Sequence, residues 1–167
     1  DARALMVNES EHANNSALVS DLDGAHVLYM TGGDPGHLLR TLEGSLLLEA
    51  MGKAHARGLA LAGSSAGAMA LAAWTRRGGW TRALGMVKDV AVLPHHETVE
   101  PSKVAEEVQR TAPAETIVLG IDAKTCCFGG PGGWTVLGQG AVTLYSSGSW
   151  QRFESGQPVP LQTSLSV

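Results

Sequence analysis

Cysteine is nearly absent from this chain of 167 residues: only Cys126 and Cys127 occur, side by side. Neighbouring thiols rarely bridge each other and no third thiol is present, so no disulfide framework is expected. The Cys-x-x-Cys spacing of zinc sites is missing as well, and no metal is expected. The pair reads as two small buried strand residues, which fits a reducing compartment, so a cytoplasmic location is expected. There is no run of Lys or Arg, and the net charge is −4. That balance argues against a nucleic-acid binder and against a binder of anionic membranes. No apolar stretch approaches the roughly 18 residues that a membrane span needs. A Gly-x-Gly-x-x-Gly opening and a Walker loop are both absent, so no cofactor is expected. The first residues, Asp1-Ala2-Arg3-Ala4-Leu5-Met6-Val7, lack the basic start and long apolar core of a signal peptide. They also lack an initiator Met, so the numbered chain is expected to begin inside a longer product.

What is present is a globular composition, 44% apolar and 17% charged. Its length suits one domain with a real core, and residues 1–167 are read as one domain. A short strand is expected over Ala4 to Val7, and a short helix capped by Asn15-Ser16 through Leu22. Ala25 to Met30 reads as a buried strand ending at Gly32-Gly33. Asp34-Pro35 then has the form of an N-cap with Pro at the first helical position. Ser45 caps a second helix, and Gly58 closes it. An apolar run, Gly58 to Ala62, leads into Gly63-Ser64-Ser65-Ala66-Gly67, and a helix-prone run, Ala68 to Trp74, leads out. Further strands are expected at Val90–Leu93, Thr116–Ile121, Thr125–Phe128, Trp134–Leu137 and Ala141–Tyr145, with a helix over Ser102–Arg110. Gly129-Gly130-Pro131-Gly132-Gly133 joins two strands, so its glycines suit a turn and not a phosphate cradle. The last twenty or so residues, rich in Ser, Gly, Pro and Gln, are expected to run over the surface. The alternation of strands and helices predicts an α/β fold with a mostly parallel central sheet covered on both faces, and antiparallel strands near the C-terminus.

Gly63 to Gly67 carries the chemistry. A serine on a sharp strand-to-helix turn is pushed out of the sheet, with Oγ exposed at the start of the helix. Free N–H groups there can stabilise an oxyanion. The bland alternative is a Gly/Ser-rich turn; a strand before it and a helix after it favour Ser65 as a nucleophile. A neutral hydroxyl needs a base. Of the six histidines, His95 and His96 follow the strand Val90–Leu93 at its carboxyl end, the edge on which Ser65 lies. As loop residues they could equally be bystanders. A base needs an orienting carboxylate. Asp122 closes the strand Thr116–Ile121, again at a carboxyl end. Glu97 and Glu100 read as solvating charges, and Asp34 as a helix cap.

Thr31-Gly32-Gly33-Asp34, Gly63-Ser64-Ser65-Ala66-Gly67-Ala68, Leu84-Gly85-Met86-Val87, the strand ending at His95, and Gly120-Ile121-Asp122 occur in that order. Together they resemble the peptidase E / cyanophycinase family of serine peptidases over roughly residues 20 to 145. The resemblance implies a three-layer sandwich like that of class I glutamine amidotransferases. It implies Ser65 as nucleophile, His95 as base, and an oxyanion hole from the backbone N–H groups of Gly33 and Ala66. Asp34 and His96 are expected at the substrate, His96 where relatives usually carry Phe or Tyr, and the order of Ser before His before acid suits Asp122 as the acid.

Three departures qualify what the resemblance implies. Many relatives carry Glu as the acid at the position of Ala123, so Asp122 can substitute only if it turns inward. The stretch after His95, Glu97 to Lys103, has no Arg and two Glu, which disfavours aspartyl-dipeptide or cyanophycin specificity. Arg76 and Arg77 are the only paired cations near the serine in sequence, and a solvated loop is the simpler reading for them. The family's first strands precede the region where this chain begins, which leaves a sheet edge that a homodimer could cover. The expected function is a serine hydrolase cleaving a small peptide or amide through an acyl-enzyme on Ser65. The alternative is a catalytically impaired relative that binds a small molecule or a protein. Amide transfer is a third reading, disfavoured because amidotransferases use a cysteine at this turn.

Overall fold

A computed structural model describes residues 2–130 and 132–161. The chain divides after Gly67 into two compact units.

The first unit opens without regular structure through Glu9; the strand expected at Ala4–Val7 does not form. Helices α1 (Ser10–Ala13) and α2 (Ser16–Ser20) follow, then strand β1 (Val27–Met30), helices α3 (Pro35–Leu42) and α4 (Leu46–Ala56), and strand β2 (Ala60–Gly63). Each cap expected from sequence forms. Asn15 accepts from the Ala17 N–H, Asp34 from the His37 N–H (2.7 Å), and Ser45 from the Leu48 N–H (3.1 Å). Each bond satisfies a donor that the first helical turn leaves open. Gly58, at φ 107°, follows α4 as its C′ residue. Met30, Leu42, Leu47, Met51, Ala54 and Leu59 form the buried side of this unit. β1 and β2 pair in parallel, Val27 opposite Ala60 through Met30 opposite Gly63. β1 is not the buried strand expected, because Val27 and Tyr29 on its alternate positions are exposed.

Helix α5 (Ala66–Leu71) joins the units. The helix expected to reach Trp74 stops at Leu71, and Ala72 begins strand β3 (Ala72–Arg76). Helix propensity yields there to two ladders, since β3 pairs with both β4 (Trp80–Arg82) and β5 (Val87–Pro94). After β5 come helix α6 (Pro101–Thr111) and strands β6 (Ile117–Ile121), β7 (Thr125–Gly130), β8 (Gly133–Gly138), β9 (Ala141–Ser146), β10 (Ser149–Glu154) and β11 (Pro158–Val159).

The six-stranded sheet of this second unit runs β10-β9-β6-β5-β3-β4. It is mixed and not mostly parallel: β3–β5 and β5–β6 are parallel, whereas β10–β9, β9–β6 and β3–β4 are antiparallel. A helical crossover through α6 permits the parallel β5–β6 step, while short turns after β3 and β9 force antiparallel pairing. A second sheet, β11-β8-β7, is antiparallel.

Period-2 alternation splits the core of this unit. Val90 and Val92 join Leu119, Val136, Val142, Phe153 and Val159 in one cluster, whereas Ala91 joins Val104, Val108, Val118 and Tyr145 in the other. The C-terminal stretch is therefore not a surface tail as far as residue 161: Phe153, Val159 and Leu161 are all buried. Its remainder, 162–167, lies outside the described residues. The cysteines lie on a strand as expected, but neither is fully buried. Both lie on β7, but Cys126 is exposed and only Cys127 packs toward the core.

Candidate functional site

In the first unit the candidate nucleophile sits at the carboxyl end of β2. Ser65 has φ 47°, a left-handed backbone that a non-glycine residue adopts only when its surroundings impose it. Two glycines explain how the turn is closed so tightly. A Cβ at Gly67 would collide with the carbonyl oxygen of Met30, so only glycine lets the start of α5 lie against the end of β1. A Cβ at Gly32 would lie 3.4 Å from Ser65 Cβ and 3.9 Å from its Oγ. The Gly32-Gly33 turn thus lies directly beside the serine, with Gly33 at φ 142°. Ser64 N–H donates to Met30 O (3.0 Å) and Gly67 N–H to Ser64 O (2.8 Å), which pins the turn from both sides. Ala66, the first residue of α5, is buried. The turn after β1, with Gly32 and Gly33, and the turn after β2, with Ser65 and Ala66, therefore lie side by side at the ends of two paired strands. Asp34 sits at the first of these turns as the cap of α3.

In the second unit the candidate base follows β5. His95 is exposed, at φ 57°, again left-handed. His96 turns the other way and is 3% exposed. Its Nε2 shares a 2.6 Å hydrogen bond with the Tyr145 hydroxyl, and the two rings meet edge to face. A Cβ at Gly120 would enter the His96 ring, so that glycine makes room for it. Burial lowers the His96 pKa, with Asp122 opposing that shift and Arg152 adding to it. Burial also pushes the Tyr145 hydroxyl up to about 12. His96 is therefore packed against Gly120 and Tyr145.

Asp122 does turn inward, at 5% exposure. Its partners, however, are Arg152 Nη2 at 2.6 Å and the Ala141 N–H at 3.0 Å, both on Oδ2. Oδ1 is buried with no hydrogen-bond partner among the described residues. The carboxylate is therefore committed to β9 and β10, and its charge acts on His96.

Sequence reasoning missed Glu97. Its Oε2 accepts the Ala123 N–H at 2.8 Å, across from the end of β6. Its carboxyl is held below the usual range by its own backbone N–H, by the Ala123 N–H, and then by the charges of His95 and His96. No periodicity could have signalled this, since the bond joins two loops 26 residues apart. Glu100 is a surface charge as expected, paired with Lys103 Nζ at 2.8 Å. Arg76 lies 3.0 Å from Glu107 on α6, close enough for an ion pair though without hydrogen-bond alignment. Burial raises both thiols, Cys127 to about 12, so neither is a ready nucleophile. Among the described residues no group of three His, Cys, Asp or Glu could hold a metal, and no helix is long and apolar enough to cross a membrane.

Comparison with known proteins places the chain in a family. Residues 4–128 match the family model for "Peptidase family S51". The chain is 29% identical over 156 residues to a cyanophycinase of Nostoc sp. (strain PCC 7120 / SAG 25.82 / UTEX 2576), a match spanning 84% of this chain and 51% of the relative. It is equally similar to a cyanophycinase of Trichormus variabilis (strain ATCC 29413 / PCC 7937), with the same coverage. The chain thus spans about half the length of the curated relatives it matches. The crystal structure of a peptidase from an acI-B1 Actinobacterium is similar at a TM-score of 0.81 and 28% identity, over 93% of this chain and 67% of that one.

Proposed function

Because this chain belongs to peptidase family S51, we propose that it is a serine peptidase or amidase in which Ser65 is the nucleophile and His95 its base. One observation carries the reading: Ser65 holds a left-handed backbone at a strand-to-helix turn, directly against Gly32. A turn of that kind costs about 1–3 kcal/mol, and such strain gathers where a side chain must be aimed. His95 shows the same sign at the end of β5.

Ser65 Oγ attacks the carbonyl carbon of a peptide or amide, and its proton passes to the His95 imidazole. The carbonyl oxygen becomes an oxyanion held by the N–H groups of Gly33 and Ala66. The imidazolium then protonates the leaving amine as the C–N bond breaks, which leaves an acyl-serine. Water attacks that ester, gives its proton to His95, and the carboxylic acid leaves with Ser65 restored. The three-layer arrangement of class I glutamine amidotransferases belongs to the same proposal, supported by the parallel β1–β2 and β3–β5–β6 ladders.

The substrate we infer is a small peptide or amide without an acidic side chain at the cleaved position. The stretch from Glu97 to Lys103 offers no arginine, and its one lysine is engaged by Glu100. Cyanophycinase activity is therefore not carried over from the relatives' name. A second reading, an impaired relative that binds without turnover, is favoured by the commitment of Asp122 to Arg152.

Intact mass after incubation with a small fluorophosphonate separates the two. A single adduct on the native chain, absent from Ser65→Ala and strongly slowed in His95→Ala, is the outcome expected of the enzyme. A folded chain that takes up no adduct supports the binding module instead.

A further inference from the structure

Resting on that reading, we propose that the buried pair His96–Tyr145 positions His95: it fastens the turn after β5 to the core and so fixes the backbone from which the base projects. A left-handed histidine persists only where its neighbours over-determine it, and His95 holds φ 57°. Its neighbours are tied on both sides. Before it, Pro94 is in register with Ile121, the last residue of β6. After it, the His96 N–H donates to Ile121 O at 3.2 Å, and the Val99 N–H returns to His96 O at 3.2 Å. Both bonds are at the long end of the ordinary range, so the backbone alone is a modest restraint.

The His96 side chain supplies the stronger one. Its ring fills the notch that Gly120 leaves open and meets the Tyr145 ring edge to face, with centroids 5.5 Å apart. Its Nε2 shares a 2.6 Å hydrogen bond with the Tyr145 hydroxyl. Tyr145 is an anchor set apart from the turn. It is wholly buried on β9, in register with Val118 of β6, and packs in one cluster with Ala91, Val104 and Val108. Pulling His96 away from it would leave two buried polar groups unpaired, so the closed arrangement is favoured. Burial also disfavours the protonated form of His96, which suits a ring that anchors and not one that takes up a proton. With His96 held inward, the residue before it stands exposed at the carboxyl end of β5. His96 and Tyr145 are therefore positioning residues, acting through the backbone of His95.

The test measures fluorophosphonate labelling rates of the full chain as native protein, Tyr145→Phe, His96→Phe, the two combined, and Val136→Ala, a core change on β8. Each single variant keeps two rings but leaves one buried polar atom without its partner. Each is expected to label about tenfold or more slowly, since an ångström of misplacement costs about a hundredfold. Val136→Ala loses stability without touching the turn and should keep the native rate. If the pair acts as one lock, the combined variant is no slower than either single one. Single variants slowed no more than Val136→Ala would overturn the proposal. A combined variant slowed by the product of the two single effects would also overturn it, because the residues would then act independently. The second readout needs no chemistry at Ser65: amide hydrogen exchange at His96 and Val99 in the native chain and Tyr145→Phe, beside that at Val118 and Leu119 in β6. Faster exchange at the turn with native protection in β6 is expected. That result supports the lock even if the native chain takes up no adduct, in which case the hydrolase reading alone fails. Unchanged exchange at the turn, or an equal loss of protection in β6, overturns the positioning role even where Ser65 labels normally.

Discussion

At the scale of single residues, two non-glycine positions carry the functional argument because their backbones are ones a side chain disfavours. Ser65 at φ 47° and His95 at φ 57° each end a strand, and each is held by neighbours rather than by its own preference. For Ser65 this predicts a separation of strain from chemistry. Ser65→Ala and Ser65→Gly both lose the hydroxyl and should both lose labelling. Only glycine accepts a left-handed backbone at no steric cost, a relief of about 1–2 kcal/mol per residue. Against that stands the greater freedom of glycine in the unfolded chain, about 0.4–1 kcal/mol. Ser65→Gly is therefore expected to be the more stable variant by up to about 1 kcal/mol in urea unfolding. Equal midpoints would mean that the turn stores no strain at this residue. The serine was legible in the sequence because its signature is local: glycines at 63 and 67 around it, apolar strand before, small residues after. Glu97 was not legible, because its partner is a backbone N–H that only the register of β5 against β6 brings near.

At the scale of elements, the end of β6 is organised by a buried ring pair. His96 is enclosed by Gly120 and Tyr145, and burial lowers its pKa below the ordinary 6.5. The unfolded chain therefore binds a proton there more readily than the folded one. The stability this group contributes is fully present above about pH 6.5 and is lost as pH falls through the lower folded value. Urea unfolding should show it as a fall in stability between pH 7.5 and pH 5. His96→Phe keeps a ring against Gly120 but removes the titration, so its profile over that range should be flatter than the native one. An unchanged slope would assign the acid sensitivity to other groups. The adjacency of His95 and His96 hid this division of labour. Sequence marked both as candidates, and the β5–β6 ladder decided which faces outward and which is buried.

At the scale of the whole molecule, what the sequence made legible were the elements with strong local signals. The capped helices α2, α3 and α4, the amphipathic α6, and the strands β5 to β9 all form close to where patterning placed them. What it hid were the elements defined by pairing. β3 grows out of a helix-prone run because two strands lie ready to receive it, and β10 and β11 arise from a stretch whose composition resembles a tail. Those last strands are part of the core. Phe153 and Val159 join Val90, Val92, Leu119 and Val142, Leu161 is buried beside them, and Arg152 neutralises Asp122 at 2.6 Å. Losing a buried Phe costs about 3–5 kcal/mol by itself. Leaving a buried carboxylate unpaired adds a cost of similar size, somewhat less here because Arg152 is about one-third exposed. Together these approach the 5–15 kcal/mol that holds a typical domain. A chain ended after Ser147 is therefore expected to lose its cooperative melt and near-ultraviolet circular dichroism and to bind a hydrophobic dye. A native-like melt from the shortened chain would show that β9 can serve as the sheet edge unaided, and that β10 and β11 add little to the stability of the fold.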